Sequence, residues 1–488
     1  MTWELALNAL LVLTAVFAVG AFTQRTSVDE QHLLRGYLLA GNTLQKYRVV
    51  NLLWSTSFSL NGMLYQVWLG YLVGAWALLT QTAWAASFFW LGRYAERVRA
   101  NDSLHGALGK SFQPSTRVIA GMFSLVGAMA LIGWEFNVGK ATFQGLILTA
   151  NSAQSSQLAL LFTAAVVFSC VLYTIIGGLK GNALADLLQS LLKMLGFCGL
   201  ILLLFWNFPG QTATVWDAAF PSFSLVVEKI GLFGLVTNLA FSLVWQFVDM
   251  SAWQNVISEA RGSAAKDTQS TLRWGGVCVF IAPGVIGTIL GVMLNPVAGV
   301  DAGNVISKTV ETLPTLGQGA SLLLAVTLIA CMMSMIDGLL LACGYALVVD
   351  VLRPGSRLDE LDANPQVSKA LVAKVRFAFF AIAILGSFGI TQFMALLGLG
   401  VFDILYLVIV PPLALSGPVF ASLWGRSPGK FSMWWAMLLG ATTGLLAVFL
   451  GTMLNYGWAV EGAGLFTIVA STACAFLISH VSKASKER

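Results

Sequence analysis

The chain has 488 residues, 57% of them hydrophobic and only 10% charged. Soluble globular proteins carry about 25% charged residues, so this composition excludes a soluble enzyme, a disordered chain and a nucleic-acid binder. The net charge of +5 comes from Lys and Arg scattered along the chain, with no basic block to grip nucleic acid.

Roughly 20 apolar residues cross a bilayer, which leaves room for a dozen or so spans. The first apolar run, 4–24, has no basic residue before it; Glu4 precedes it and Arg25 follows it. That order predicts a retained helix rather than a cleaved leader, with the N-terminus outside. Thirteen spans follow in the pattern: 4–24, 49–67, 70–92, 117–148, 157–177, 183–206, 231–254, 273–294, 318–350, 374–394, 396–424, 431–455 and 463–482. With the N-terminus outside, 23 of the 27 Lys/Arg fall on inward-facing segments, as the positive-inside rule requires. The expectation is a multi-pass protein of the plasma (inner) membrane, its C-terminus cytoplasmic and the lipid bilayer its one obligatory partner. The six cysteines lie inside apolar runs without CxxC or Cys/His spacing, so neither a disulfide framework nor a zinc site is expected. His32, His105 and His480 stand in polar segments and read as surface residues.

Polar groups inside the spans point to function, because each costs a few kcal/mol or more in the bilayer. The second span carries Trp54-Ser55-Thr56-Ser57-Phe58-Ser59-Leu60-Asn61-Gly62. It reads either as a helix whose hydroxyls bond back to the preceding turn or as a helix broken from Ser55 to Gly62, with carbonyls freed for a cation or solute. Glu135 and Lys140 share the fourth span; as a pair they are five residues apart, a poor helical spacing. Asp186 lies near the start of the sixth span, where the helix dipole favours a carboxylate, and Lys193 lies two turns deeper. Asp249, Asp337 and Asp403 fall in the seventh, ninth and eleventh spans. An inert bundle has no use for so many buried charges; a pump, transporter or channel does.

Five stretches, taken in order, resemble the sodium:solute symporter family, which includes proline, pantothenate, sialic acid and sodium/glucose transporters. They are Tyr37-Leu38-Leu39-Ala40-Gly41-Asn42-Thr43-Leu44; Ser55 to Gly62; Tyr173-Thr174-Ile175-Ile176-Gly177-Gly178-Leu179-Lys180 with Asp186 and Gln189; Asp249-Met250-Ser251-Ala252-Trp253-Gln254-Asn255; and Met333-Ser334-Met335-Ile336-Asp337-Gly338 with Asp350. The resemblance implies an all-α, leucine-transporter-like fold of two inverted five-helix repeats. One helix and a loop (1–48) precede them. The repeats would be 49–206 and 231–424, joined by an outer loop, 207–230, and followed by two helices and a tail, 425–488.

It also implies a sodium site made by carbonyls of Ser55, Phe58 and Cys331 and the hydroxyl of Ser334, with Asp186 on the inner ion route. Met335 departs from the family pattern by placing a thioether where a hydroxyl is usual, and sulfur is a poor ligand for a hard cation; Gly338 replaces a serine. The solute would lie against Asn61, Gly62, Tyr65, Gln66, Trp245, Gln246 and Asp249. Lys193 and Asp337 are candidates for coupling, and an ammonium at position 193 is placed to occupy the sodium position itself. The expected activity is ion-coupled symport of a small polar organic solute by alternating access, with sodium as the coupling ion and no other cofactor. The alternatives are a proton-coupled or uncoupled transporter in which Lys193 replaces sodium, a channel of the same fold, and a transporter-like receptor. No enzyme activity is indicated.

Overall fold

The computed structural model describes residues 3–25, 33–146, 152–207, 218–260, 262, 264–294, 318–396, 403–426 and 432–484, and the described residues contain no β-strand. The main helices are α1 (Trp3–Arg25), α2 (Lys46–Ser57), α3 (Leu60–Val73), α4 (Leu78–Gly92), α5 (Pro114–Leu146), α6 (Ser152–Asn207), α7 (Leu232–Val248), α8 (Met250–Ile257), α9 (Ala265–Leu294), α10 (Gln318–Tyr345), α11 (Pro365–Phe393), α12 (Leu405–Leu423), α13 (Trp434–Met453) and α14 (Ala463–Ala484).

Among the described residues, ten helices are long and apolar enough to cross a membrane, or eleven with one bent pair counted as a span. The difference from thirteen lies in how runs join. The described helix over 152–207 has 56 residues, and at 1.5 Å per residue it would reach about 84 Å if straight, far more than a bilayer core of ~30 Å. Gly178 interrupts it with φ +55° and ψ −155°, a conformation that costs glycine little and other residues much. A Cβ there would sit 2.5 Å from the Tyr37 carbonyl oxygen. The Tyr37 hydroxyl donates to the Thr174 and Ile175 carbonyls just before the kink. The run is therefore two helices that meet at the Gly178 kink, in the place of the two predicted spans 157–177 and 183–206. Gly74, at φ +57°, likewise separates α3 from α4.

Burial sorts the helices into shells. In α10 and α12, 78% of the apolar window is buried; in α1 and α14 the figure is 22% and 28%. α10 and α12 are therefore central and α1 and α14 peripheral, with side chains such as Leu11, Val12 and Leu477 turned outward, as lipid-facing residues are.

Polar ties close one end of the bundle. Asp350, at the end of the segment that continues α10, accepts from Ser103 Oγ at 2.9 Å and Arg117 Nε at 2.8 Å, and faces His105 Nδ1 at 2.8 Å. His105 Nε2 meets Ser124 Oγ at 2.8 Å. His105 is therefore buried, contrary to the surface reading of the sequence: its polar neighbours in the chain are partners rather than solvent. His480 is exposed, and His32 lies outside the described residues.

Candidate functional site: a broken helix between a cradle and a cavity

The second span is broken, but over a shorter stretch than Ser55 to Gly62. α2 stays helical through Ser57 and α3 starts at Leu60; the interruption is Phe58 (φ −90°, ψ 50°) and Ser59 (φ −79°, ψ 168°). Ser59 caps α3, its Oγ accepting from the Gly62 N–H at 3.1 Å. A Cβ at position 62 would lie 2.9 Å from that Oγ, so the cap needs glycine there. Thr56 and Ser57 bond back to Leu52 and Leu53, which keeps α2 wound up to the break.

A helix end inside a membrane leaves N–H and C=O groups that protein must satisfy. Glu135 of α5 takes the N–H groups: Leu60 donates to Oε1 and Asn61 to Oε2, both at 2.9 Å. The carboxyl group faces the positive end of the α3 dipole. Its expected alternative partner, Lys140, forms no ion pair with it among the described residues, where the ion pairs involve Arg35, His105 and Arg117.

Lys193 of α6 takes the carbonyls. Nζ donates to Ser55 O at 3.0 Å, Ser55 Oγ at 3.0 Å, Phe58 O at 3.2 Å and Ser334 Oγ at 2.7 Å. It also stands 5.3 Å from the Phe58 ring centroid and 5.9 Å from that of Trp54, in cation–π range. The side chain is fully buried. Proton directions are consistent throughout: Ser55 Oγ accepts from Lys193 and donates to Asp186 Oδ1 at 2.9 Å, and Ser334 Oγ donates to Ser55 O at 3.1 Å and lies 3.3 Å from Cys331 O. The oxygens that the family resemblance assigns to sodium are thus gathered around an ammonium.

Asp186 is not a helix-end carboxylate. It lies two turns beyond Gly178 inside α6, buried, and its Oδ2 has no hydrogen-bond partner among the described residues. Asp337 Oδ2 accepts from the Tyr173 hydroxyl at 2.6 Å, and Gln189 Nε2 donates to the same hydroxyl at 3.2 Å. Asp337 therefore sits behind the cradle on α10, away from the cavity. The Asp403 side chain lies outside the described residues.

On the other side of the break lies a cavity of about 110 Å³. Asn61, Gly62, Tyr65, Trp245 and Asp249 line it. Gln66 and Gln246 do not: Gln66 Nε2 donates to Ala77 O and Thr288 Oγ1, and Gln246 is buried outside the lining, its main-chain N–H donating to Ser87 Oγ. Met335 points into the cavity wall too. Trp84, Trp134 and Phe241 complete an aromatic lining that no motif marked; Trp84, Phe241 and Trp245 contact one another at centroid distances of 5.2–5.9 Å. Among the described residues, Asn61 Nδ2 and Trp84 Nε1 have no hydrogen-bond partner, and Asp249 is the one acidic side chain in the lining. Tyr65 donates to Asn238 Oδ1 at 2.8 Å.

A second break faces the first across this cavity. α7 ends at Val248 and α8 begins at Met250, with Asp249 extended between them. Asp249 Oδ1 accepts from Ser251 N at 2.8 Å and Ser251 Oγ at 2.7 Å.

Among solved structures, a sodium-coupled sialic acid symporter, determined substrate-bound and outward-open, superposes with a TM-score of 0.74 over 97% of this chain and 98% of its own, at 14% identity. The chain has the fold of that symporter. The leucine-transporter-like, all-α class expected from the sequence stands with it. At this identity the likeness is one of fold alone. MhsT in complex with L-phenylalanine aligns over 96% of this chain at 16% identity with a TM-score of 0.46, too loosely to carry an argument. No family model and no curated protein matches the sequence.

Proposed function

We propose that the chain is a secondary transporter of the sodium:solute symporter type, moving a small organic solute by alternating access and drawing on an ion gradient. The observation that carries this reading is the broken helix whose two faces serve two purposes: ionisable side chains on one, an aromatic-lined cavity on the other. Midplane sites built from discontinuous helices are the usual device of such transporters. The Glu135 cap and the Lys193 contacts account for the energy of breaking a helix there. The five-plus-five division, 49–206 and 231–424, and the N-out, C-in orientation belong to the same reading.

The charges of the site narrow the solute. An anionic group would be drawn to the positive end of α3, but Glu135 already fills that position with a carboxylate. The cavity offers one acidic side chain, unpartnered amide and indole donors, and aromatic faces. Those groups suit a neutral or cationic solute with carbonyl or hydroxyl oxygens, and an aromatic wall suits a cation.

Intrinsic tryptophan fluorescence of the purified protein, titrated with urea, a sugar, choline, proline and a dicarboxylate, tests the class: saturable quenching is expected from a neutral or cationic member and not from the dicarboxylate. Counterflow of the binding solute in liposomes then tests transport. Binding without counterflow would leave a receptor, and unsaturable flux a channel.

A further inference from the structure

We infer that the Lys193 ammonium is a built-in substitute for the coupling cation in the cradle of the broken helix, so that sodium neither binds nor drives transport at that position. Its consequence for transport rests on the function proposed above; its test does not.

The cradle is closed to sodium by the group that already fills it. Sodium wants about five or six oxygens, and broken helices supply them as carbonyls. Here the Ser55 and Phe58 carbonyls and the Ser334 hydroxyl all point at one ammonium, at 2.7–3.2 Å. The ammonium has three N–H donors and no acceptor, and four oxygens, the Ser55 hydroxyl included, surround it. A second cation placed among the same oxygens would meet a like charge at contact distance. Met335, which could have supplied another hydroxyl were it a serine, lines the solute cavity instead.

The lysine is also held as a site residue is held, and not as a stray surface cation. It is fully buried, and burying an ammonium costs several kcal/mol unless it is paired and hydrogen-bonded. Every compensating group is present. The Ser55 hydroxyl links it to Asp186, two aromatic rings flank it, and Phe197, one turn along α6, stacks on Phe58 at 5.4 Å. The charged or ionisable groups facing this cluster are Asp186 from α6 itself, Glu135 from α5, and Cys331 and Asp337 from α10. The ammonium is part of the chain and cannot dissociate into solution, whereas a free ion leaves.

The test is thermal unfolding of the full-length protein in detergent, in sodium chloride against potassium chloride at equal ionic strength. The wild type should unfold at the same temperature in both salts. Lys193→Ala empties the cradle but keeps its oxygens, and should gain a saturable, sodium-specific rise of about 1–3 °C. Lys193→Met, which keeps the stem and removes the charge, provides the same measurement if the alanine variant does not fold. Two results would overturn the inference. One is a sodium-specific rise in the wild type that Ser334→Ala removes, because the ion would then share the cradle with the lysine. The other is a folded Lys193 variant as blind to sodium as the wild type, because the cradle would then not be a cation site at all. Neither measurement involves transport, so a failure of the proposed function leaves this result readable.

Discussion

The two helix breaks that face each other across the cavity are held in different ways. At the first, between α2 and α3, the exposed backbone groups are satisfied from far along the chain: the N–H groups by Glu135 of α5 and the carbonyls by Lys193 of α6 and Ser334 of α10. At the second, between α7 and α8, the work is local. Asp249 caps its own helix through Ser251, and Trp253 Nε1 donates to Phe247 O at 3.1 Å. A locally capped break keeps its partners when the helices around it move. A break pinned by three other helices must exchange partners, or carry those helices with it. The first break is therefore the one whose geometry is tied to the state of the whole bundle, and the second is the more free-standing joint.

Removing a distant partner should hurt far more than removing a local one. Glu135→Leu leaves the Leu60 and Asn61 N–H groups unpaired in a buried site, at about 1–3 kcal/mol each. A total loss of about 3–5 kcal/mol is expected, read by thermal or chemical unfolding, with Glu135→Gln retaining part of it through its one acceptor oxygen. A Glu135→Leu protein as stable as the wild type would mean that the break does not depend on α5.

Next in size is an accessibility contrast along the break. Thr56 and Ser57 line the cavity, whereas Ser55, Phe58 and Leu60 are fully buried. Single cysteines at the first two positions should react with a water-soluble thiol reagent at least ~10-fold faster than at the other three, since reactivity follows exposure. Uniform labelling from 55 to 62 would indicate an unwound segment of the full length read from the sequence, rather than a two-residue break.

That difference shows what the sequence carries and what it does not. Hydroxyls, an amide and a glycine clustered in an apolar run announce a break, because such groups need partners in a membrane. They do not set its length; the back-bonding of Thr56 and Ser57 does, and that is settled only when the neighbouring helix is in place. Lys193 is conspicuous for the same reason, as a buried cation with no obvious partner; the family resemblance, which places its helix near the implied sodium site, is what leads to the Ser55 and Phe58 carbonyls. Glu135 was visible as a charge, but its partners are main-chain N–H groups that no side-chain pattern reveals. The cavity walls Trp84, Trp134 and Phe241 are invisible among 31 Phe and 16 Trp, since an aromatic in a membrane helix looks alike whether it faces lipid, core or solute. His105 misled because polar sequence neighbours indicate water only when the segment is exposed.

At the second break, Asp249→Ala removes the cap of an eight-residue helix, at an expected cost of about 1 kcal/mol. Asp249→Asn keeps an acceptor for Ser251 and should restore most of that stability while leaving the cavity without its one acidic side chain. Unfolding measurements on the pair separate the two roles: equal stability loss in both variants would mean that the charge, not the cap, holds the joint. If the asparagine variant is stable yet loses affinity for a cationic solute in the fluorescence titration, the carboxylate serves the cavity.

The smallest effect expected is at Met335. Met335→Ser would return a hydroxyl to the position from which the family resemblance draws a sodium ligand. If the missing hydroxyl were the only reason for sodium to be absent, this one change would create a sodium-specific stabilisation. With Lys193 in place it should create none. The Ser55, Phe58 and Ser334 oxygens stay committed to the ammonium, and one added hydroxyl neither removes that charge nor supplies the remaining oxygens a free ion needs. The unfolding temperature of Met335→Ser should therefore be the same in sodium and potassium. The same substitution made together with Lys193→Ala should enlarge the sodium response of Lys193→Ala alone, because the emptied cradle then has one more oxygen to offer. A sodium response in Met335→Ser by itself would transfer the exclusion from the lysine to the methionine, and the first break would be an ordinary cation site missing one ligand.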